Sequence, residues 1–387
     1  MGYDYYAGVF TGQPVSTYTN WAKVTNGVSS TSTNYLTTET TTDAINWLGQ
    51  QGNKPFFLWF ALNAPHFPFH LPPDSLHSYR NLSGTTADIN QNPKNYFKAM
   101  TEAMDNQIGK LYTWLQANNK LDNTDIIFIG DNGNEQRTAQ QTPAMKAKTT
   151  VYQEGVHVPF IVSGPSVVNQ GRVSTALVNV QDLFATIVEL AGFIDWRSQI
   201  MANKPVDSKS LMPILKNTAT TIRPWAFTEI FGYNNATDAK AMRNQDFKLL
   251  NFDSGKQEFY NLSTDPNEQI NLLNRTLTAT ELTNYTYLCT EMGTLLSRNI
   301  CNSKVDTKDL SASAKPIIAP NPAKNLISVY FNDALPFDFQ LSSVDGKIVK
   351  NGVSIKDIDL ADVPNGLFLL KIQKQGVVFM EKIVVEK

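Results

Sequence analysis

Residues 125–138 read DIIFIGDNGNEQRT. Four apolar residues, Ile126–Ile129, run into Gly130, and then a carboxylate, Asp131, stands beside an amide, Asn132, with Gly133 behind them. A short apolar run bounded by turn residues reads as a strand covered on both faces, as in a parallel sheet. Open α/β sheets bind ligands beyond the carboxyl ends of their strands, which is where Asp131 and Asn132 fall. Their oxygens form a hard donor pair suited to Ca²⁺ or Mg²⁺ rather than to zinc. The same residues are also ordinary Asx-turn chemistry between a strand and a loop, and the motif alone leaves both readings open.

Upstream, FFLWFALNAPHFPFH (56–70) has the same form. Its unbroken apolar part predicts a strand over 55–62, and it ends in His66 among prolines. An imidazole fixed at a strand end is placed to serve as acid, base or anion donor, or else to bond the backbone. His70 and His77 read as surface or rim residues. Between the two runs, NYFKAMTEAMDNQIGKLYTWLQANNK (95–120) sets Phe97, Met100, Met104, Ile108, Leu111 and Leu115 at helical spacing. A short helix is expected at TTDAINWLGQQG (41–52). Downstream, HVPFIVSGP (157–165) predicts a third strand, with His157 structural. QDLFATIVELAG (181–192) predicts a helix with Asp182 as N-cap and Gly192 as stop. Strands alternating with helices give α/β architecture, a mainly parallel sheet flanked by helices. Lys148 lies in the loop before the third strand. A loop lysine is ordinarily solvated, and this one gains a role only if its loop folds over His66 and Asp131.

The texture changes at residue 222. PWAFTEIF, AMRNQDFKLLNF and QEFYNLSTDPNE, followed by a helix over 278–298, predict a small α+β subdomain with an antiparallel sheet. It changes again after 305 to hairpin material, with turn signals at Asp345-Gly346 and Asn365-Gly366, which predicts a separate β-sandwich. The expected division is 1–221, 222–305 and 306–387.

With 387 residues the chain can bury a large core, and 42% apolar with 18% charged residues is ordinary globular composition. A net charge of −2 provides no basic field for nucleic acid or a membrane surface. No apolar run approaches the roughly 18 residues of a membrane span. MGYDYYAGVF carries no signal-peptide pattern. Cys289 and Cys301, the two cysteines, lack metal-type spacing. They could close a disulfide stabilising by about 3 kcal/mol in an oxidising compartment, or remain two packed thiols.

Taken in order, FFLWFALNAPHFPFHLP, YFKAMTEAMDNQIGKL, NTDIIFIGDNG and KTTVYQEGVHVPFIVSGP resemble the sulfatase branch of the alkaline-phosphatase superfamily. The resemblance continues through WAFTEIF, AMRNQDFKLLNF and FYNLSTDPNEQINLL, and so covers roughly residues 1–300. It implies a sulfuric ester hydrolase, arylsulfatase-like, acting on a sulfated carbohydrate or an aryl sulfate. It also implies roles. Asp131 and Asn132 would ligate the active-site divalent ion, usually Ca²⁺. His66 would contact the sulfate and help protonate the leaving alcohol, and Lys148 would hold a sulfate oxygen. A metal, a lysine and a histidine around a transferring sulfuryl group would stabilise its spread negative charge. The chain departs from the family pattern at Gln153-Glu154-Gly155 and at His157, where Glu-Gly-Gly and Arg or Asn are commoner.

Family members begin with a strand bearing an Asp-Asp metal pair, then a Cys-or-Ser-x-Pro-x-Arg motif whose first residue becomes the formylglycine nucleophile. Neither occurs in this sequence. The expectation is a sulfatase chain lacking about its first third, and one that does not turn over sulfate esters, because catalysis has lost its nucleophile. Two alternatives stand beside it. One is a phosphoric ester or phosphonate hydrolase of the same superfamily; the other is a noncatalytic surface protein that binds sulfated glycans.

IIAPNPAKNLISVYF, LSSVDGKIV, IDLADVPNGLFLLKI and EKIVVEK, over about 312–387, resemble the C-terminal sorting domain of the type IX secretion system of Bacteroidetes-type bacteria. That implies the secretion machinery as a partner, export across the outer membrane, and a secreted or cell-surface protein. A generic spacer or carbohydrate-adhering sandwich is the plainer alternative. Export would favour the Cys289–Cys301 bridge.

Overall fold

The computed structural model describes residues 2–10, 17–141, 143–232, 238–301, 316–331, 336–374 and 377–387. The chain divides into two compact units, one of residues 1–272 and 284–300, the other of 273–283 and 301–387.

The first unit opens with a three-stranded antiparallel sheet, β1 (Ala7–Gly8), β2 (Trp21–Thr25) and β3 (Val28–Ser32), followed by α1 (Leu36–Gly49). The helix starts earlier than 41–52 because the buried Leu36, Thr37 and Thr41 add a turn that continues the face of Ala44 and Leu48. After α2 (Thr86–Gln91) comes α3 (Pro93–Ala117). Its first-turn Pro93 loses nothing there, since that amide has no intrahelical partner. Tyr96, Ala99, Met100, Ala103, Gln107 and Leu115 form its buried stripe. Tyr96, Ala99 and Met100 join Tyr18, Trp21, Leu36 and Phe69 in one core.

β4 (Ile126–Ile129) and β5 (Phe160–Ser163), with the short α4 (Gln153–Val156) between them, pair with each other antiparallel, Ile129 opposite Phe160 and Ile126 opposite Ser163. Two sequence expectations are corrected here. Every ladder between described strands is antiparallel, so a mainly parallel sheet is not what these residues form. A parallel pair needs a crossover that returns the chain to the strand's starting end. The loops of 130–159 instead deliver β5 beside the end of β4. Residues 55–62 are no strand either. They have no ladder partner among the described residues, and Phe57 and Trp59 are 50% and 68% exposed. An apolar run becomes a strand only where a neighbour takes up its backbone groups.

Helix α5 (Asp182–Leu190) ends before Gly192, whose φ of +91° suits only glycine. Its N-cap is Gln181, not Asp182. The Asp182 carboxylate is fully buried, paired with Arg223, and accepts the amides of Asn179 (2.8 Å) and Lys209 (2.9 Å). Helix α6 (Met212–Leu215) leads to a four-stranded antiparallel sheet in sequence order: β6 (Ala226–Ile230), β7 (Ala239–Arg243), β8 (Phe247–Phe252) and β9 (Gln257–Asn261).

Helix α7 (Ala279–Leu295) begins in a capping box. The Glu281 carboxylate accepts the Thr278 amide (2.8 Å), while the Thr278 hydroxyl accepts the Glu281 amide (3.4 Å). Bonding from the Arg275 guanidinium, against the opposing effect of burial, lowers the Glu281 pKa from 4.5 to about 2. A depressed carboxylate contributes stability above its unfolded pKa and loses it as the pH falls through the folded one. The α7 amides are therefore expected to lose exchange protection as pH drops from 4.5 toward 2, and Glu281→Gln is expected to flatten that dependence. Thr278→Ala should cost about 1 kcal/mol at neutral pH, measurable by urea denaturation. Both cysteines are disulfide-bonded, which settles the question that their spacing left open.

The second unit contains two facing sets of strands. One sheet is β10 (Ile317–Ala319), β11 (Leu326–Tyr330) and β14 (Asp357–Asp359); the other runs β13 (Ile348–Ser354), β12 (Phe337–Ser343), β15 (Gly366–Lys374), β16 (Val377–Val385). Alternate residues Phe368, Leu370 and Ile372 of β15 join Ile327, Val329, Phe337, Leu341 and Ile383 in its core. Asp345-Gly346 turns β12 into β13, with Gly346 at φ +86°. Asn365-Gly366 does not close a hairpin: it leads from β14 in one sheet to β15 in the other. Residues 375–376, between β15 and β16, lie outside the described residues. Among the described residues no helix is long and apolar enough to cross a membrane.

Candidate active site

Three loops carry the residues singled out from the sequence: main-chain hydrogen bonds join the Asp131-Asn132 and Lys148 loops, and a cation–π contact joins the His66 loop to the first of them. Asp131 and Asn132 follow β4 at an exposed tip. The Asp131 carboxylate accepts the Asn132 backbone amide (2.9 Å) and its side-chain amide (2.7 Å), bonds to the next residue and not to the amide two positions on that defines an Asx turn. Just beyond, the Gly133 amide donates to Gly155 O (2.9 Å). A Cβ on Gly133 would lie 1.8 Å from Glu154 O, and one on Gly155 would lie 2.5 Å from Thr150 O. These approaches require glycine, and they seat the loop after β4 directly on residues 147–155. The Glu154 carboxylate reinforces the join by accepting the amides of Gln140 and Gln141.

Lys148 lies in this junction, with its amide donating to Asn134 O (2.8 Å). Thr149, next to it, has a φ of +68°, a left-handed backbone that a β-branched residue adopts only where its surroundings impose it. Its hydroxyl donates to Lys148 O (2.5 Å). Among the described residues the Lys148 ammonium has no ion-pair partner.

The His66 side chain makes its hydrogen bond and ring contact with Phe67, and its loop meets the loop after β4 through Phe69. The Arg137 guanidinium lies 5.0 Å over the Phe69 ring, which ties the loop after β4 to the His66–His70 loop. The buried Tyr18 fixes the His66 backbone, its hydroxyl lying 2.8 Å from His66 O and 3.0 Å from Asn63 O. The His66 Nδ1 is 2.8 Å from Phe67 O. A carbonyl only accepts, so Nδ1 carries the proton and Nε2 is left as the basic nitrogen.

The other histidines differ from expectation. His70 packs 4.3 Å from the Tyr18 ring; its Nδ1 bonds Pro68 O (2.9 Å) and its Nε2 the Tyr35 hydroxyl (3.1 Å). Burial pushes its pKa down, outweighing the Pro68 bond, and its ring contacts make it a packing residue and not a rim group. His77 is 5% exposed, bonded to Pro72 O and the Tyr79 amide, and is likewise structural. His157, read as structural, is exposed.

Sequence reading passed over Tyr18, Arg137 and Glu268. Tyr18 lies 48 positions from His66, and no local pattern connects them.

For a metal, Asp131 and Asn132 offer oxygens of the right chemistry for Ca²⁺, but only two of the six to eight it takes. No group of three or more His, Cys, Asp or Glu that could hold a metal occurs among the described residues. These residues do not amount to a complete calcium site.

The sulfatase family model matches residues 1–193, and that of the N-sulphoglucosamine sulphohydrolase C-terminal region matches 145–288. The secretion system C-terminal sorting domain matches 317–386. Arylsulfatase K of Rattus norvegicus is 25% identical over 300 residues, covering 64% of this chain and 50% of its own. The N-acetylglucosamine-6-O-sulfatase of Bacteroides thetaiotaomicron is 27% identical over 187 residues, covering 46% and 32%. The chain thus spans half or less of the length of these relatives. The crystal structure of Ps i-CgsB in complex with k-i-k-neocarrahexaose superposes with a TM-score of 0.60 at 23% identity, covering 72% of this chain and 58% of that one. Its likeness shows an alkaline-phosphatase-like fold. Two overlapping family models over 1–288 and a third over 317–386 give one conclusion: the chain belongs to the sulfatase family and carries a secretion-type sorting domain.

Proposed function

We propose that this chain supplies the sulfate-gripping, leaving-group side of a sulfuric ester hydrolase acting on sulfated glycans. The joining of the His66, Asp131-Asn132 and Lys148 loops through Arg137–Phe69, Lys148–Asn134 and Gly133–Gly155 carries the reading. Lys148 offers an ammonium to a sulfate oxygen, and His66 Nε2, once protonated, offers an acid to the departing alcohol. Asp131 and Asn132 offer two oxygens to a divalent ion, and no step is assigned to that ion. The glycan substrate class rests on relatives named for sulfated amino sugars. Export to the cell surface or medium through a type IX route rests on the sorting domain. Within this reading, 1–221 is the core, 222–305 its α+β subdomain and 306–387 the sorting region.

The sequence holds neither an Asp-Asp pair nor a Cys/Ser-x-Pro-x-Arg motif, so the 387-residue chain is expected to bind a sulfated oligosaccharide without releasing sulfate. Calorimetry with a sulfated glucosamine oligosaccharide tests it. Lys148→Ala and His66→Ala should each weaken binding about tenfold, a charge-assisted hydrogen bond being worth 1.5–3 kcal/mol. Unchanged affinity in both variants, or release of sulfate by the unaltered chain, overturns the reading.

A further inference from the structure

The sheet of β6–β9 and the segment after it reach the Lys148 loop at several points, and Glu268 makes contacts on both sides of Lys148. Glu268 is 1% exposed and sits at φ +55°, a left-handed position uncommon outside glycine. One of its carboxylate oxygens accepts the backbone amide of Gln153 (2.6 Å), in the loop that continues from Lys148. The other lies 2.8 Å from the Lys248 ammonium, whose side chain is 2% exposed. The Glu268 main-chain carbonyl accepts the Lys146 ammonium, two positions before Lys148. Lys146 is further enclosed by aromatic faces, 4.6 Å from the Tyr152 ring and 5.0 Å from that of Tyr260. Both tyrosine hydroxyls donate to Glu258 (2.6 Å each). The loop is thus gripped on both flanks of Lys148 by the same glutamate.

We infer that Glu268 is the positioning residue for Lys148: through the Gln153 amide and the Lys146 ammonium it holds the strained turn at Thr149 closed. Two lysines two residues apart have opposite fates. Lys146 is spent on the aromatic faces and the Glu268 carbonyl, which leaves Lys148 as the ammonium available to an anion. The importance of anion binding at Lys148 rests on the function proposed above; the bracing itself does not.

The test compares two double variants of the full chain. Lys248→Met with Glu268→Gln removes both charges but keeps an acceptor for the Gln153 amide. Lys248→Met with Glu268→Leu removes the charges and the acceptor. Replacing a buried ion pair by apolar groups is commonly neutral or stabilising, so both should fold, which thermal melting checks. The readout is hydrogen–deuterium exchange at the Lys148 and Gln153 amides. The Leu variant is expected to exchange about tenfold faster there than the Gln variant, the loss of one buried hydrogen bond of about 1.4 kcal/mol, with the β8 and β9 amides unchanged. Equal exchange in the two variants overturns the inference, as does a difference spread evenly over the sheet. Binding of a sulfated glucosamine oligosaccharide is measured in parallel. If exchange differs as stated while Lys148→Ala and His66→Ala both leave binding intact, the bracing stands and the functional reading falls. If Lys148→Ala abolishes binding while exchange is equal, the reverse holds.

Discussion

Gly133→Ala is expected to destabilise the first unit by about 3 kcal/mol or more and to release the Lys148 loop. The added methyl would stand 1.8 Å from the Glu154 carbonyl oxygen and 2.8–2.9 Å from the next two main-chain atoms. Nothing at that contact is a flexible side-chain end, so relief requires moving one backbone segment away from another. That movement breaks the Gly133–Gly155 hydrogen bond and, next to it, the Lys148–Asn134 bond. Gly109→Ala is the matched control. Gly109 lies in α3 with open space around its Cβ position, so alanine there should stabilise by about 0.5–1 kcal/mol through helix propensity. Urea denaturation of both variants gives the comparison. A Gly133→Ala protein as stable as its parent would mean that the close approach of the two loops is not as described.

Glu268→Ala alone carries the second large effect. It strands the Lys248 ammonium, already disfavoured by burial and held chiefly by its attraction to Glu268. Breaking a buried pair from one side costs about 3–5 kcal/mol, most of it the uncompensated charge. The remedy is also predictable. A lysine whose folded pKa lies below its unfolded 10.5 binds fewer protons folded than unfolded, so stability rises with pH through that window. The deficit of Glu268→Ala should therefore shrink as pH climbs toward 10.5, and Lys248→Met added to it should recover most of the loss at pH 7. Denaturation of the two variants across pH 7–10 checks both statements; a deficit independent of pH would assign the loss to packing instead of charge.

The sequence made some of this plain and hid the rest for physical reasons. Helix α3 was readable because its apolar positions repeat at the helical period over many turns. β4 and β5 were readable as strands, but their pairing was not, since an apolar run carries no record of its neighbour's direction. The 55–62 segment shows the same limit: its composition suits a strand, yet no described segment lies alongside to pair with it. Asp182 was read as a cap because carboxylates favour helix starts, whereas its actual role is set by Arg223, 41 positions away. At the site, the candidate side chains were visible from their setting, but what holds their loops was not. Tyr18, Arg137 and Glu268 act across long separations through a hydroxyl, a guanidinium face and one carboxylate, and no short pattern announces such contacts.

The meeting of main chain with main chain at Gly133 and Gly155 has a consequence for descent. Where two stretches of polypeptide touch without side chains between them, the path of the loops cannot drift without losing the contact. Inherited change at this corner is then confined to what projects from it, at positions 131, 132 and 148. On the function proposed above, the chemistry of those side chains can change over generations while the loops beneath them keep their shape.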